Sequence, residues 1–191
     1  MARDLIARLF AGRHAEGAHG DPLFRMQPER WLESRLRAEM SALLPGIQSH
    51  PVYSQVPTTS SGDRGMLDLL APDRDSRLTV IELKADEDLH LPKQALDYWI
   101  RVQALIEDRK PGPAGRMVSA FERAGYFPGV EVSALPPRLP QAAPALRIHP
   151  TDQPVLRHQA PQIEWELRQL SEGWRRKLKT VSRVRSTDGK R

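Results

Sequence analysis

Residues 65–97 read GMLDLLAPDRDSRLTVIELKADEDLHLPKQALD, and this stretch contains the features that decide the fold. Residues 66–71 and 78–85 are apolar runs separated by polar, turn-forming residues, a pattern that predicts a β-hairpin. A charged pair, Glu82 and Lys84, interrupts the second run. Side chains two positions apart on a strand point to the same face, so the two charges are expected to project together from one side of the sheet, opposite the apolar side chains.

The composition is that of a globular protein with one domain and short appendages. The chain has 191 residues, of which 39% are hydrophobic and 28% charged, and no apolar run approaches the ~20 residues of a membrane span. The absence of cysteine excludes a disulfide scaffold, a thiol nucleophile and a Cys-ligated zinc site. We therefore expect a soluble, cytoplasmic protein with no membrane partner.

The positive charge is concentrated at the C-terminus. Residues 168–191 contain nine Lys or Arg and two acidic residues, whereas the rest of the chain has 20 basic and 22 acidic residues. This distribution is typical of proteins that bind a polyanion, and the alternative is a solubilising tail. The candidate contacts to nucleic acid in this segment are Arg175, Arg176, Lys177 and Lys179.

The hydrophobic pattern divides the chain into three parts. Residues 1–20 are interpreted as an N-terminal segment and linker, residues 21–160 as the main domain, and residues 161–191 as a C-terminal helix and basic tail. The order helix, three strands, helix, strand, helix predicts an α/β fold with a central mixed sheet flanked by helices. The expected elements are a helix at 28–44, strands at 50–57, 66–71 and 78–85, a helix at 86–109, a possible helix at 116–127, a strand at 143–150 and a closing helix at 161–184.

Two carboxylates on the predicted hairpin suggest a metal site. Asp68 precedes Glu82 by 14 positions, a spacing that allows the hairpin to bring the two side chains together. Two neighbouring carboxylates repel each other unless a cation lies between them, and oxygen ligands suit Mg²⁺ or Mn²⁺. A lysine beside that cation, Lys84, can orient or deprotonate a water molecule. The set suits metal-assisted hydrolysis of a phosphodiester.

These residues resemble the PD-(D/E)XK nuclease superfamily, in which an Asp is followed by E-x-K on an adjoining strand. Leu67 replaces the proline often found before the Asp. The following helix contains Gln94 and Tyr98, similar to the Q-x-x-x-Y element of RecB-like members. The resemblance covers roughly residues 28–108. It implies a restriction-endonuclease-like core of the order αβββαβ and a metal-dependent nuclease of DNA repair or defence.

The resemblance also implies roles for individual residues. Asp68, Glu82 and Leu83 would form the Mg²⁺ or Mn²⁺ site, and Lys84 would activate water. A glutamate of the first helix would complete the metal shell, and spacing alone does not decide between Glu29 and Glu33. Gln94 and Tyr98 would belong to the catalytic set, and Arg101 shares their helix face as a candidate nucleic-acid contact.

Two other interpretations remain open at the level of sequence. An E-x-K triplet is also typical of a cross-strand salt bridge on an exposed sheet. If the residues had only this role, the protein would be a nucleic-acid-binding module or a regulatory domain of a larger protein. A homodimer is also open. The six histidines are scattered and lack the spacing of a zinc helix. DNA is the expected partner, and RNA remains open as an alternative. The sequence does not distinguish an endonuclease from an exonuclease.

Overall fold

A six-stranded mixed sheet with helices on both faces forms the centre of the protein. The computed structural model describes residues 1–12, 14, 16–18, 20–60, 63–86, 88, 90–111, 117–118, 120, 124, 126, 139–143 and 163–187. The helices are α1 (Ala2–Gly12), α2 (Pro22–Arg25), α3 (Pro28–Ala38), α4 (Met40–Leu43) and α5 (Leu91–Glu107). The strands are β1 (Tyr53–Ser60), β2 (Asp63–Pro72), β3 (Leu78–Leu83), β4 (Lys110–Pro111), β5 (Met117–Val118), β6 (Leu139–Ala143), β7 (Trp165–Leu170) and β8 (Thr180–Arg185).

The strand order in the sheet is β1-β2-β3-β6-β7-β8. The first three strands form an antiparallel meander, in which β2 pairs with both of its neighbours in sequence. Strand β6 lies parallel to β3 and to β7, and β8 closes the sheet antiparallel to β7. The short strands β4 and β5 pair with each other outside this sheet. The mixed α/β architecture expected from the sequence is thus confirmed.

Apolar side chains cover both faces of the meander. On one face, Leu70 and Val80 pack in a cluster that includes Ala95 and Val102 of α5. The other face carries Leu69 and Ile81, which pack with Leu32 and Leu36 of α3. Adjacent residues on a strand point to opposite faces, so a strand buried on both sides is continuously apolar, as β3 is apart from Thr79 and Glu82.

Proline marks the start of both helices that cover the sheet. Pro28 and Pro92 occupy first-turn positions, where the missing N–H costs no intrahelical hydrogen bond. The helix predicted at 28–44 is divided at Glu39 into α3 and α4, and α5 begins five residues later than expected. The three predicted strands of the meander and the two helices are otherwise confirmed.

The closing helix predicted at 161–184 is wrong. The described residues of this segment form β7, a short 3-10 helix at Glu172–Arg175 and most of β8. The apolar residues of this segment fit two patterns. Spacings of four and three indicated a helix, whereas Ile163, Trp165 and Leu167 follow one another at the spacing of two that indicates a strand. Hydrogen bonding of β7 to β6 and β8 selects the extended conformation.

Other sequence expectations fall largely outside the described residues. The possible helix at 116–127 is one of them, although Met117–Val118 is a short strand. The strand predicted at 143–150 overlaps the last residue of β6, and residues 144–150 are not described. No helix in the described part of the chain has the length and apolar character needed to cross a membrane.

Candidate functional site

The hairpin of β2 and β3 brings Asp68 and Glu82 together, as their spacing predicts. The ladder between the strands runs as far as the pair Leu69–Ile81, and the next residue on each strand is one of the two carboxylates. Beyond this pair, Asp68 Oδ2 accepts a hydrogen bond from the backbone N–H of Leu83 at 2.9 Å. The end of β3 is therefore joined to the Asp68 carboxylate.

Glu82 lies in a strongly unfavourable environment for a negative charge. The residue is 1% exposed, and its Oε2 has no hydrogen-bond partner within the described part of the chain. Burial, followed by the nearby Asp68 carboxylate, raises the pKa of Glu82 to about 9, while Lys84 acts in the opposite direction. The alternative of an exposed cross-strand salt bridge is therefore wrong for Glu82. At neutral pH its carboxyl retains a proton unless a cation replaces it.

The environment of Asp68 also disfavours a negative charge on its carboxyl. Burial raises the pKa of its carboxyl, and the charges of Glu29 and Glu33 act in the same direction. The N–H of Leu83 and the amide of Gln55 lower it by stabilising the charged form. The site thus combines carboxylates that repel one another with only a few donors to offset the repulsion.

A glutamate of α3 reaches the same site through a residue of β1. Glu33 of α3 is 7% exposed, and its Oε2 accepts a hydrogen bond of 2.7 Å from Gln55 Nε2. The same nitrogen lies 3.4 Å from Asp68 Oδ1. Arg30 Nη1 also contacts Glu33 Oε2 at 3.3 Å. Of the two glutamates left open by the sequence, Glu33 is linked to Asp68.

The other glutamate lies beside the lysine. Lys84 follows the end of β3, and its Nζ is 3.9 Å from Glu29 Oε1 and 3.7 Å from Asp88 Oδ2. Asp88 also accepts the backbone N–H of His90 at the start of α5, at 2.8 Å. The Lys84 side chain is 16% exposed, so its ammonium lies at the rim of the buried carboxylates and is positioned by two acidic partners.

Tyr98 of α5 contacts the strand that carries Asp68. Its hydroxyl oxygen accepts a hydrogen bond from the backbone N–H of Met66 at 3.3 Å. The ring covers Gly65, where an added Cβ would lie 2.6 Å from Tyr98 Cε1 and 2.9 Å from Thr58 Oγ1. Glycine is therefore required at this close approach. Tyr98 positions β2, and Gln94 lies half-buried one turn earlier on the same helix.

Arg101 is poorly suited to the predicted contact with phosphate. Its side chain is 7% exposed, and its Nε donates a hydrogen bond of 2.8 Å to Asp97 Oδ2. A cation that is buried and already paired would have to break this pairing to reach a polyanion. The shared helix face predicted from the sequence points toward the sheet.

The C-terminal basic residues do not form one continuous surface. Arg175 packs against three aromatic rings, with its Cζ 4.9 Å from the Phe24 centroid, 5.7 Å from Trp31 and 4.7 Å from Trp174. Burial lowers the pKa of its guanidinium, and the charge of Asp86 opposes that change. Trp174 is itself 3% exposed and belongs to the core. Arg175 therefore has a packing role.

Several of the remaining C-terminal cations have acidic partners. Arg176 pairs with Glu16 at 2.8 Å, and Arg185 pairs with Glu166 at 2.7 Å. Arg168 is buried and donates to the carboxylate of Glu166. The cations of this segment that are exposed and have no ion pair within the described part of the chain are Lys177, Lys179 and Arg183.

The donor types at the site fit a divalent cation, although the ligand set is incomplete. Carboxylate oxygens are the ligands that Mg²⁺ and Mn²⁺ prefer. Glu82 Oε2 is a buried acceptor with no partner among the residues that the structure describes, and a cation would satisfy it. Within the described ranges, no three His, Cys, Asp or Glu side chains converge to hold a metal ion. Mg²⁺ retains several waters and often binds through one or two carboxylates, so the residues present suit an ion that is partly hydrated.

Comparisons with known proteins leave the site to be interpreted from its own geometry. No protein-family model matches the sequence, and no curated protein matches it. Among solved structures, the crystal structure of a repair endonuclease from Pyrococcus abyssi is similar, with a TM-score of 0.48 and 17% sequence identity. The similarity covers 75% of this chain and 46% of that chain, so this chain spans about half the length of the endonuclease. This level of similarity is too low to assign a fold or an activity.

Proposed function

We propose that the protein is a divalent-metal-dependent nuclease of the PD-(D/E)XK type, with a restriction-endonuclease-like core, that hydrolyses phosphodiester bonds in DNA. The observation that carries the proposal is the pairing of the buried Glu82 with the half-buried Asp68, whose repulsion is relieved by a proton or a cation. A cluster of this kind opposes folding, so stability alone does not account for it. The lysine at its rim is the third group required for hydrolysis.

The roles of the residues follow from their positions. Asp68 and Glu82 would hold Mg²⁺ or Mn²⁺, with the backbone at Leu83 beside them and Glu33 reaching the site through Gln55. The bound ion would supply Lewis-acid stabilisation of charge developing on the phosphate. Lys84 would orient the attacking water and offset the same charge. Its contacts with Glu29 and Asp88 keep the ammonium near the carboxylates.

A second candidate function is a nucleic-acid-binding or regulatory domain that cleaves weakly or not at all. It is favoured by the incomplete convergence of the described carboxylates and by the pairing of Lys84 with two acidic side chains. In this case the site would bind a cation as a structural element. The two candidates differ in catalysis and share the prediction of metal binding.

A gel assay of purified protein separates the two candidates. Labelled duplex DNA, single-stranded DNA and RNA are incubated with protein in Mg²⁺, in Mn²⁺ and in chelator. We expect metal-dependent cleavage of at least one DNA form and none by Asp68→Asn. Metal binding without cleavage of any substrate would support the second candidate, and the absence of both would contradict each of them.

A further inference from the structure

Gln55 has an unusual backbone conformation at the site. Its φ is 53°, in the left-handed region that residues other than Gly, Asn and Asp seldom adopt, and it lies within the strand β1. Strands β1 and β2 pair on either side of this residue, at Ser54–Leu69 and Val56–Leu67, but Gln55 does not pair with Asp68. The strained residue therefore faces Asp68 across an interruption of the ladder.

The side chain of Gln55 uses this interruption to reach both acidic partners. One amide nitrogen, Nε2, is 2.7 Å from Glu33 Oε2 and 3.4 Å from Asp68 Oδ1. A residue in the ordinary extended conformation would continue the alternation of the strand. Backbone strain persists where the surrounding structure requires it, and it is concentrated at functional sites. Here it coincides with a donor between two carboxylates from different elements.

We propose that Gln55 is a positioning residue of the metal site. Its amide holds Glu33 of α3 beside Asp68 of β2, so that both carboxylates face the site before a cation arrives. The neutral donor offsets part of their repulsion without contributing a charge that would compete with the cation. This inference rests on the proposed nuclease function, and it adds a residue from β1 that the E-x-K and Q-x-x-x-Y patterns do not contain.

The test is a set of variants titrated with Mn²⁺ by calorimetry, a measurement that does not depend on cleavage. Gln55→Met keeps the length of the side chain and the strained backbone but removes the donor. Gln55→Gly removes the donor and relieves the strain, since glycine adopts positive φ freely. Partners of metal ligands typically contribute 10- to 100-fold in affinity, so we expect both variants to bind Mn²⁺ about tenfold or more weakly than wild type.

A matched control is available at Gln48. This half-buried glutamine donates to the backbone carbonyl of Asp73 at 2.7 Å, and in the described part of the chain it makes no hydrogen bond to Glu33, Asp68 or Glu82. Gln48→Met should retain the Mn²⁺ affinity of wild type. Circular dichroism and thermal unfolding of each variant without metal establish that the variants compared are folded.

The outcomes distinguish this inference from the function on which it rests. If wild type binds Mn²⁺ and cleaves DNA but Gln55→Met binds equally well, Gln55 has no positioning role and the nuclease assignment stands. If Gln55→Met is weakened while Gln55→Gly binds like wild type, the amide is not the cause and the inference is overturned. If wild type itself fails to bind Mn²⁺, both the metal site and the role of Gln55 are contradicted.

Discussion

The backbone N–H of Leu83 donates a hydrogen bond to Asp68 Oδ2 at 2.9 Å, so the carboxylate on β2 is joined to the residue that follows Glu82 on β3. This bond occupies one oxygen of Asp68, and Glu82 Oε2 has no hydrogen-bond partner among the described residues. The pairing of β2 with β3 holds the two carboxyls close together. The two carboxyls therefore repel each other whenever both are charged. Under the proposed function, a bound cation would relieve this repulsion.

Asp68→Asn should abolish cleavage and most of the stabilisation by divalent metal. The amide oxygen can still accept the N–H of Leu83, so the fold should persist while the charge that attracts the cation is lost. A ligand that binds only the folded state raises its stability, and therefore Mn²⁺ should raise the Tm of wild type but barely that of the variant. Differential scanning calorimetry with and without Mn²⁺ measures this difference.

Asp4→Asn is the control for loss of a negative charge, because Asp4 is exposed on α1. This variant should show the same Tm increase with Mn²⁺ as wild type. An Mn²⁺ response of Asp68→Asn equal to that of wild type would remove Asp68 from the metal site.

In the absence of metal, the free energy of unfolding should decrease as the pH rises because of Glu82. In the unfolded chain a glutamate with a pKa near 4.5 is deprotonated at pH 7, whereas folded Glu82 keeps its proton up to about pH 9. The folded state thus binds more protons between about pH 5 and pH 9, so the free energy of unfolding falls across this window. Urea unfolding at several pH values in chelator measures the slope.

Glu82→Gln should flatten this dependence, because the neutral amide has no proton to lose. At pH 9 the free energy of unfolding of this variant should exceed that of wild type by an amount on the order of a few kcal/mol. Mg²⁺ added to wild type at high pH should recover stability, whereas Glu82→Gln should respond less. The exposed-residue control Glu107→Gln should keep the slope of wild type, and an unchanged slope in Glu82→Gln would show that Glu82 is not the titrating group.

Lys84→Ala and Leu83→Ala should separate chemistry from folding. Lys84 is at the end of β3 with its ammonium at the rim of the site, so its loss should leave the Tm near that of wild type. The single-turnover rate should fall on the order of 10²- to 10³-fold if the ammonium stabilises the transition state. Leu83 is fully buried, and its truncation should cost about 2–5 kcal/mol of stability. Undiminished cleavage by Lys84→Ala would assign Lys84 to an ion pair alone.

The exposed cations of the C-terminal segment should contribute to the binding of DNA through phosphate. Each contact contributes about 0.7–0.9 to the slope of log affinity against log salt concentration. Replacing Lys177, Lys179 and Arg183 by Ser should flatten this slope by about two units if all three contact phosphate. Fluorescence anisotropy over a series of salt concentrations measures the slope, and an unchanged slope would show that DNA is bound elsewhere.

Arg175 provides a contrast within the same segment. Because its guanidinium packs on three aromatic rings, Arg175→Ser should lower the Tm while leaving the salt slope close to that of wild type. A flattened slope with unchanged Tm would instead assign Arg175 to the nucleic-acid surface, as the sequence alone suggested.

Gly65→Ala should destabilise the fold through its contact with Tyr98. The new Cβ would lie 2.6 Å from a ring carbon of a buried tyrosine, which must move and weaken its contact with the N–H of Met66. Overpacking of this kind costs about 1–3 kcal/mol. Chemical denaturation measures the change. Gly46→Ala, where an added Cβ meets nothing within 4 Å, is the control, and equal stability of the two variants would contradict the close packing.

The sequence determined the local features of this protein that depend on short-range pattern. Two apolar runs separated by a polar turn predict the β2–β3 hairpin, and a hairpin of that spacing allows Asp68 to lie close to Glu82. Prolines at the helix starts and helical spacing of apolar residues predict α3 and α5. These features follow from steric preference and period, which operate within a few residues of the chain.

Only the tertiary structure decided the features that depend on distant partners. The apolar pattern of residues 163–170 fits both a helix and a strand, and pairing with β6 and β8 makes Trp165–Leu170 extended. Glu33 is distinguished from Glu29 by its contact with Gln55, a residue whose backbone conformation has no signature in the sequence. The packing of the Arg175 guanidinium against three aromatic rings likewise depends on the tertiary structure. These outcomes depend on hydrogen bonding and desolvation by residues that are far apart in the chain. Local sequence patterns therefore do not predict them.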